Sequence, residues 1–408
     1  MKASFSANRC ADPIPLLSAR IITCNLGLVF FFANKIWVVP SSDESSTISM
    51  SDCGLRESTF FNHTSIFCDS LYVGVNTNTL GFTNKGYTIS VKRALVLGAT
   101  GQDGQLLSNF LLKLGYAVFG VSRNNPDWSE NPLKLDRPTH IKLDITRYHE
   151  LSSLIEAIKP QEIYNLSASS SVSSSFSDPV GTTSSNVLGV LNLLNSIKNF
   201  KLEKAIKIFH PSSSDMFGSS NLQLNENSPM FPRSPYGVAK LTAHQICVQY
   251  RNEFGVQVST GILFNHESEL RSTQFVFQKI IHSLVEISLG RRKSLELGNL
   301  NIYRDWGYAG DYIQAMHTIL QKTKPSDYVV ATGNSHSLVE IIIQSCQKLS
   351  LKKDFDSLVH VNPLLSRPLD IERTWGNPSR INSELGWRST TSFEELIDKM
   401  IKFNLSKF

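Results

Sequence analysis

An α/β fold built on a doubly wound parallel sheet is what this chain predicts, and three observations carry that expectation. The apolar, strand-like run Ala94-Leu95-Val96-Leu97 leads into the glycine turn Gly98-Ala99-Thr100-Gly101-Gln102-Asp103-Gly104, and the turn opens a helical pattern through Leu106, Leu107, Phe110, Leu111 and Leu114. Further strand-like runs at 116–121, 140–143, 162–166, 206–210 and 256–264 alternate with helical patterns at 148–158, 186–197 and 236–254, the order that makes strands parallel. Finally, Gly98, Arg123, Asp144, Leu166 and Ser213 all fall at the carboxyl ends of those runs, where an open parallel sheet binds its ligands.

Taken in order, residues 1–90 stand apart. They are rich in Ser, Asn and Thr without a sustained period, and read as an irregular extension outside the core. Their one apolar run, 21–39, is interrupted by Asn25, Asn34 and Lys35, which makes it marginal as a membrane span. With Lys2, Arg9 and Arg20 before it, the run also suits a targeting or anchor segment, the alternative to the expected cytoplasmic location. Of the six cysteines, only Cys247 and Cys346 lie beyond this extension, and no CxxC pair or Cys/His spacing suggests a metal. A formal charge of +5 over 408 residues, with 41% hydrophobic and 18% charged, is ordinary globular composition without the basic runs of a nucleic-acid or membrane-surface protein.

Residues 91–264 read as a dinucleotide-binding domain of Rossmann type. The glycines allow a tight turn and the close approach of a pyrophosphate, which would sit at the amino end of the following helix. Arg123 stands at the end of the second strand, where an acidic residue would select NAD; a guanidinium pairs instead with a 2′-phosphate, so NADP is expected. A solvated surface arginine is the plainer alternative. Asp144 and Ile145 close the third strand near the expected adenine. A serine-rich loop, 167–175, follows the fourth strand, and the fifth leads to Ser212, Ser213, Ser214 and Asp215. No G-x-S-x-G elbow surrounds these serines, which disfavours a hydrolase.

Chemistry is expected around Tyr236 and Lys240. Four residues apart on a helix, they share one face, and a lysine ammonium can lower a neighbouring phenol's pKa enough to make it a base near neutral pH. The Ser213 hydroxyl can hydrogen-bond the same substrate oxygen.

Residues 265–408 read mainly as a substrate-binding lobe interleaved with the first domain. Asn265-His266-Glu267-Ser268 sits at the end of the sixth strand, a place for a substrate or nicotinamide contact, or a plain turn. An amphipathic helix spans 274–289 and carries Lys279, a further substrate candidate. Arg304 is a candidate for a diphosphate, and Arg367 with Asp370 for sugar hydroxyls, although each is also the kind of residue that makes a structural salt bridge. A helix over 393–403 closes the chain.

From 93 to 402 the chain resembles the extended short-chain dehydrogenase/reductase superfamily, and within it the GDP-mannose 4,6-dehydratases. The resemblance rests on GATGQDG at 98–104, EIYNLSA at 162–168, PRSPYGVAK at 232–240, GILFNHES at 261–268, LGNL and RDWGYAGDY within 297–312, and ELGW at 384–387. It implies that Ser213 stands for a catalytic threonine and Asp215 for a glutamate that acts on the C5 proton, beside the Tyr236/Lys240 pair. It further implies cofactor contacts at Gln102, Asp103, Leu166, Ala168, His266 and Arg271. GDP-mannose is the implied substrate, bound NADP the internal hydride carrier, and a homo-oligomer, dimer or tetramer, the implied assembly.

Departures from the family pattern stand out. Asp215 is one methylene shorter than a glutamate, Gly181 stands in place of a cofactor-contacting tyrosine, Leu270 replaces the first arginine after NHES, and Ser169 and Ser171 replace larger polar residues. The competing expectations are a nucleotide-sugar epimerase or 4-ketoreductase of the same superfamily, which needs no base for C5, and a nucleotide-binding homologue without catalysis.

Overall fold

The structure, a computed structural model, describes residues 91–126, 133, 135–365 and 370–408, together with the backbone of five short antiparallel strands in the first ninety residues: Ile21–Cys24, Gly27–Phe32, Lys35–Val39, His63–Cys68 and Leu71–Asn76. Those strands stand where irregular chain was expected, and runs such as GLVFFF are the aromatic and β-branched sequences that favour extended backbone. The remaining expectations for residues 1–90 lie outside the described residues. Among the described residues, no helix is long and apolar enough to cross a membrane.

Seven parallel strands form the central sheet: β1 (Arg93–Leu97), β2 (Ala117–Ser122), β3 (Thr139–Lys142), β4 (Glu162–Asn165), β5 (Lys207–Ser213), β6 (Gln257–Leu263) and β11 (Asp327–Val330). Their order is β11-β6-β5-β4-β1-β2-β3, so the chain reverses direction across the sheet beside β1. Alternate residues of each strand face opposite sides. Leu95 and Leu97 pack with Leu151, Leu154, Val190, Leu193 and Cys247 from α2 (Tyr148–Ile158), α5 (Gly189–Asn199) and α6 (Pro235–Phe254). Ala94 and Val96 face the other way, against Leu107, Leu111, Met316 and Ile381 from α1 (Gln102–Lys113), α8 (Ala309–Gln321) and α11 (Ser379–Leu385). Burial on both faces explains why these strands read as continuous apolar runs.

Most elements fall where the sequence places them, and the differences are informative. β5 runs on to Ser213, whereas the apolar run ended at 210, so Ser212 and Ser213 are strand residues rather than loop residues. Two short helices, α3 (Val172–Ser177) and α4 (Pro179–Thr183), and a π-turn at Ser184–Leu188 fill the stretch before α5, where a single helix from 186 was expected. β11, α8 and α11 were not read from the sequence at all.

A second cluster lies over the carboxyl edge of the sheet. Its core joins α7 (Val276–Ser288), α9 (Leu338–Lys348) and α12 (Phe393–Leu405) through Phe277, Ile281, Leu284, Ile341, Ile397 and Met400. Short strands extend it: β7 (Asn265–Glu267) pairs with β10 (Trp306–Tyr308), and β9 (Tyr303–Arg304) lies between β12 (His336–Ser337) and β14 (Arg373–Thr374). Asp305, fully buried between β9 and β10, accepts hydrogen bonds from Thr332 N, Thr332 Oγ1, Gly333 N and Gly376 N at 2.8, 2.7, 2.9 and 3.3 Å, and burial pushes its carboxyl up to about 6.

Candidate active site

One cavity of about 460 Å³ runs from the glycine turn to Arg304 along the carboxyl ends of β1, β4, β5 and β6. At its floor the turn after β1 is tied down by Gly98 N and Ala99 N, which donate to Val121 O at 2.8 and 3.0 Å. Gly98 has φ +86, and a Cβ there would lie 2.7 Å from the Leu166 carbonyl; at Gly104 it would lie 2.2 Å from Gly98 O. Both positions require glycine for packing. Gly101 differs, because a Cβ there meets only Gly98 O, at 3.5 Å. Gly101 lines the cavity at the start of α1, so its hydrogen leaves room for a phosphate against the helix amides.

The wall above the turn carries the reactive groups. Ser234 caps α6 by accepting from Gly237 N at 3.0 Å, Pro235 occupies the first turn, and a Cβ on Gly237 would lie 2.8 Å from Asp215 O. That close packing sets Tyr236 beside the 3₁₀ turn Ser214–Met216. Ser213 Oγ donates to Asp215 Oδ2 at 3.3 Å and accepts from Asp215 N at 3.2 Å. Lys240, one turn along α6 and 3% exposed, donates to the Pro211 carbonyl, and burial lowers its ammonium to about 8.

The expectation that Lys240 lowers the Tyr236 pKa is not met. The phenol is raised, first by burial and then by the negative charge of Asp215, while the Ser213 hydroxyl beside it and the Arg271 charge pull the other way. The Lys240 ammonium is engaged with the Pro211 carbonyl, and burial, followed by the Asp215 charge, sets the direction of the Tyr236 shift.

The opposite wall begins at β7. His266 Nε2 lies 2.9 Å from Asp103 Oδ2, and its Nδ1 is 2.7 Å from Phe264 O while the ring stacks on Tyr312. Burial opposes both charges, yet attraction and hydrogen bonding between the partners outweigh it: His266 is raised and Asp103 is held at about 2. Gln102 reinforces this join, accepting from Ser268 Oγ at 2.9 Å and donating to His266 O at 3.3 Å. Glu267, 1% exposed, takes a 2.8 Å bond from Arg271 Nε, and Arg271 also donates to His266 O. Farther out, Arg304 donates to Tyr303 O and Glu372 O at 2.8 and 3.2 Å and approaches Asp370 at 3.9 Å. Lys279 on α7 completes the cationic side, its ammonium lowered by burial.

Of the residues singled out from sequence, the cavity brings together Gly98, Gly101, Gln102, Asp103, Gly104, Leu166 and Ala168 with Ser213, Asp215, Tyr236 and Lys240. It adds Asn265, His266, Glu267, Arg271, Lys279, Arg304 and Asp370. Arg123, exposed beyond the end of β2, does not line it. Nor does Asp144, whose Oδ1 accepts from Thr146 N and Oγ1 at 3.0 and 2.9 Å, nor Ile145, buried where it blocks any Cβ on Gly189. Arg367 lies outside the described residues. Sequence reading missed Ser170, Ser173, Gln274 and Asn299, and noted Ser171 only as a departure from the family pattern. Asn299 lies in LGNL, which marked it; Ser170 and Ser173 lie in the 167–175 loop, which was read only as serine-rich.

Comparison with known proteins places these observations. A family model described as GDP-mannose 4,6 dehydratase matches residues 95–400. GDP-mannose 4,6 dehydratase 1 of Arabidopsis thaliana is 38% identical over 327 residues, covering 77% of this chain and 90% of that protein. GDP-mannose 4,6-dehydratase of Vibrio cholerae serotype O1 is 34% identical over 353 residues, covering 78% and 94%. Among solved structures, RMD from Pseudomonas aeruginosa complexed with NADPH superimposes with a TM-score of 0.66 at 21% identity, over 78% of this chain and all (100%) of that one, a likeness of fold.

Proposed function

The chain belongs to the GDP-mannose 4,6-dehydratase family, and we propose that it is a hydro-lyase that converts GDP-mannose to GDP-4-dehydro-6-deoxy-mannose with NADP as an internal hydride carrier. The observation that carries this reading is the pairing of Ser213 and Asp215 beside Tyr236, because a carboxylate at that point is what separates elimination from simple oxidation.

The residues present fit a dinucleotide. Gly101 offers the open approach a pyrophosphate needs, the amino end of α1 faces it, and Leu166 and Ala168 supply a flat apolar wall. Arg123 at the end of β2 is where a 2′-phosphate would find a guanidinium, which favours NADP over NAD. When bound, the nicotinamide supplies a hydride acceptor next to C4 and gives the hydride back to C6.

The protein's own steps are proton transfers. Tyr236, in its phenolate form, takes the O4 proton while Ser213 hydrogen-bonds the same oxygen, and the buried Lys240 ammonium favours that phenolate before the transfer. Once C4 is a ketone, C5–H is acidic, and Asp215 takes that proton. The proton on Tyr236 is then available to the C6 hydroxyl, which leaves as water, and Asp215 returns a proton to C5 as the hydride arrives at C6. Protons and electrons balance without net redox. Lys279 and Arg304, on the cationic side of the cavity, are the groups that would meet the diphosphate, and Asp370 would serve the sugar.

The test is to incubate the purified protein with GDP-mannose and NADP in deuterated water. A 4-keto-6-deoxy product carrying deuterium at C5 is expected, with Tyr236→Phe reducing turnover on the order of a hundred- to ten-thousandfold. Epimerised sugar without loss of water, or unchanged GDP-mannose, would overturn the reading.

A further inference from the structure

A line of buried polar groups leads away from the cavity on the side of the sheet covered by α6, and none of the steps above uses it. Ser212, which lines the cavity next to Ser213, places its Oγ 2.8 Å from His244 Nδ1. His244 is one turn beyond Lys240 on the buried face of α6. The same ring nitrogen lies 3.4 Å from Thr260 Oγ1, and Thr260 Oγ1 donates to Asp327 Oδ1 at 2.7 Å. Asp327 begins β11 and is gripped by Arg251 through two bonds of 2.7 and 2.6 Å. Ser212, His244 and Thr260 are at most 5% exposed, whereas the Asp327 side chain is 20% exposed. The polar line therefore starts at the cavity wall, crosses the core and ends at solvent.

We propose that Ser212, His244, Thr260 and Asp327 form a proton path through which the Asp215 carboxyl exchanges its proton with solvent while a ligand fills the cavity. The inference rests on the dehydration reading, in which Asp215 holds the C5 proton between elimination and its return. Thr260 gives its hydroxyl hydrogen to Asp327, so toward His244 it can only accept. Ser212 can donate or accept. His244 Nδ1 is thus able to take a proton from Ser212 and hand it to Thr260 with a small tilt of the ring and no change of tautomer. Burial, aided by the Arg251 and Lys240 charges, keeps the imidazole neutral against the pull of Asp327, which leaves Nδ1 free to accept.

Each hydroxyl on the path receives one proton and passes on another. The Asp215 proton crosses the cavity to Ser212 by way of a substrate hydroxyl or a water molecule. Ser212 delivers its own hydrogen to His244, His244 relays to Thr260, and Thr260 to Asp327. Asp327 is held below the ordinary carboxylate value despite burial, chiefly by Arg251, and so releases the proton to solvent rather than storing it. The same relay run in reverse brings a deuteron from solvent to Asp215 for return to C5, and nothing is oxidised or reduced.

The isotope content of the product reads this path directly. The full chain with NADP is given ordinary GDP-mannose in deuterated water, and C5 of the product is examined by proton NMR. The parent is expected to carry deuterium at C5. His244→Phe keeps a ring but removes Nδ1, and Thr260→Val keeps the shape but removes the hydroxyl farther from the site. In both, product still forms and the protium retained at C5 rises severalfold, because Asp215 returns the proton it took. A folding role alone would lower the rate of both variants and leave the label unchanged. Full deuterium at C5 in Thr260→Val, with product formed, overturns the path and means that exchange occurs through the cavity mouth. A parent that forms no 4-keto product overturns the dehydration reading itself, a failure recognised by missing product rather than by its label.

Discussion

The Asp103 carboxylate and His266 Nε2, 163 residues apart in the chain, meet at 2.9 Å and join the first turn of α1 to β7. This contact holds the floor of the cavity against its far wall, so its charge state bears on the stability of the whole site.

The pH dependence follows in sign from the two shifts. His266 is raised above 6.5, so its contribution is complete below that value and is lost as the pH rises through the raised one. Asp103 is depressed from 3.8 to about 2, so its share is present above 3.8 and fades only as the pH falls towards 2. The thermal midpoint of the parent should therefore decline on titration from mildly acidic to alkaline buffer, and His266→Gln should flatten that decline. Parallel curves for the two proteins would show that the pair is not what titrates.

Lys240 should set an alkaline limit on activity. Burial holds its ammonium at about 8, and loss of that charge removes the support for the Tyr236 phenolate that accepts the O4 proton. A profile of kcat/KM against pH should turn down near that value. A plateau continuing well beyond it would mean that the charge is irrelevant to the free enzyme.

The length of the carboxylate at 215 is a second lever. A misplacement of about an ångström can cost on the order of a hundredfold in rate, and Asp215→Glu restores the missing methylene, so kcat should rise towards that factor. Asp215→Asn should instead abolish dehydration while leaving nucleotide binding intact by calorimetry. A Glu variant slower than the parent would show that Asp215 already reaches C5.

Two glycines in the turn should separate folding from binding. Gly104→Ala forces a Cβ to within 2.2 Å of Gly98 O and is expected to cost about 1–3 kcal/mol in urea unfolding. At Gly101 nothing lies nearer than 3.5 Å, so Gly101→Ala should stay within about 0.5 kcal/mol of the parent while NADP affinity drops at least tenfold. Equal loss of stability in both would remove the distinction.

How far the sequence was legible depended on whether the signal was local. β1, the glycine turn and α1 announce themselves because strand, turn and helix are contiguous, and α2 falls at the expected 148–158 because its apolar residues repeat at helical spacing. β11 was missed because DYVV is only four residues long and buried among its neighbours, too short to show a period. α9 could have been found, since Ser337 and Glu340 form a capping box ahead of an apolar run. In the site, the residue types of Ser213, Asp215, Tyr236 and Lys240 were readable, but the Pro211 carbonyl that holds Lys240 and the burial that, ahead of Asp215, raises Tyr236 come only with the folded chain. His244 looked like any histidine on a helix until β6 and β11 brought Thr260 and Asp327 to it.

The position of β11 has a further consequence during synthesis. β6 is made as an inner strand, with β5 on one side and β11 on the other, but β11 is encoded after the whole of α7 and α8. Until Val330 has left the ribosome, the nascent sheet ends in an unpaired apolar edge, the kind of surface that recruits a neighbouring chain or a chaperone. Slow translation between 264 and 327 would lengthen that exposure, whereas a chain circularly permuted to place β11 earlier would shorten it.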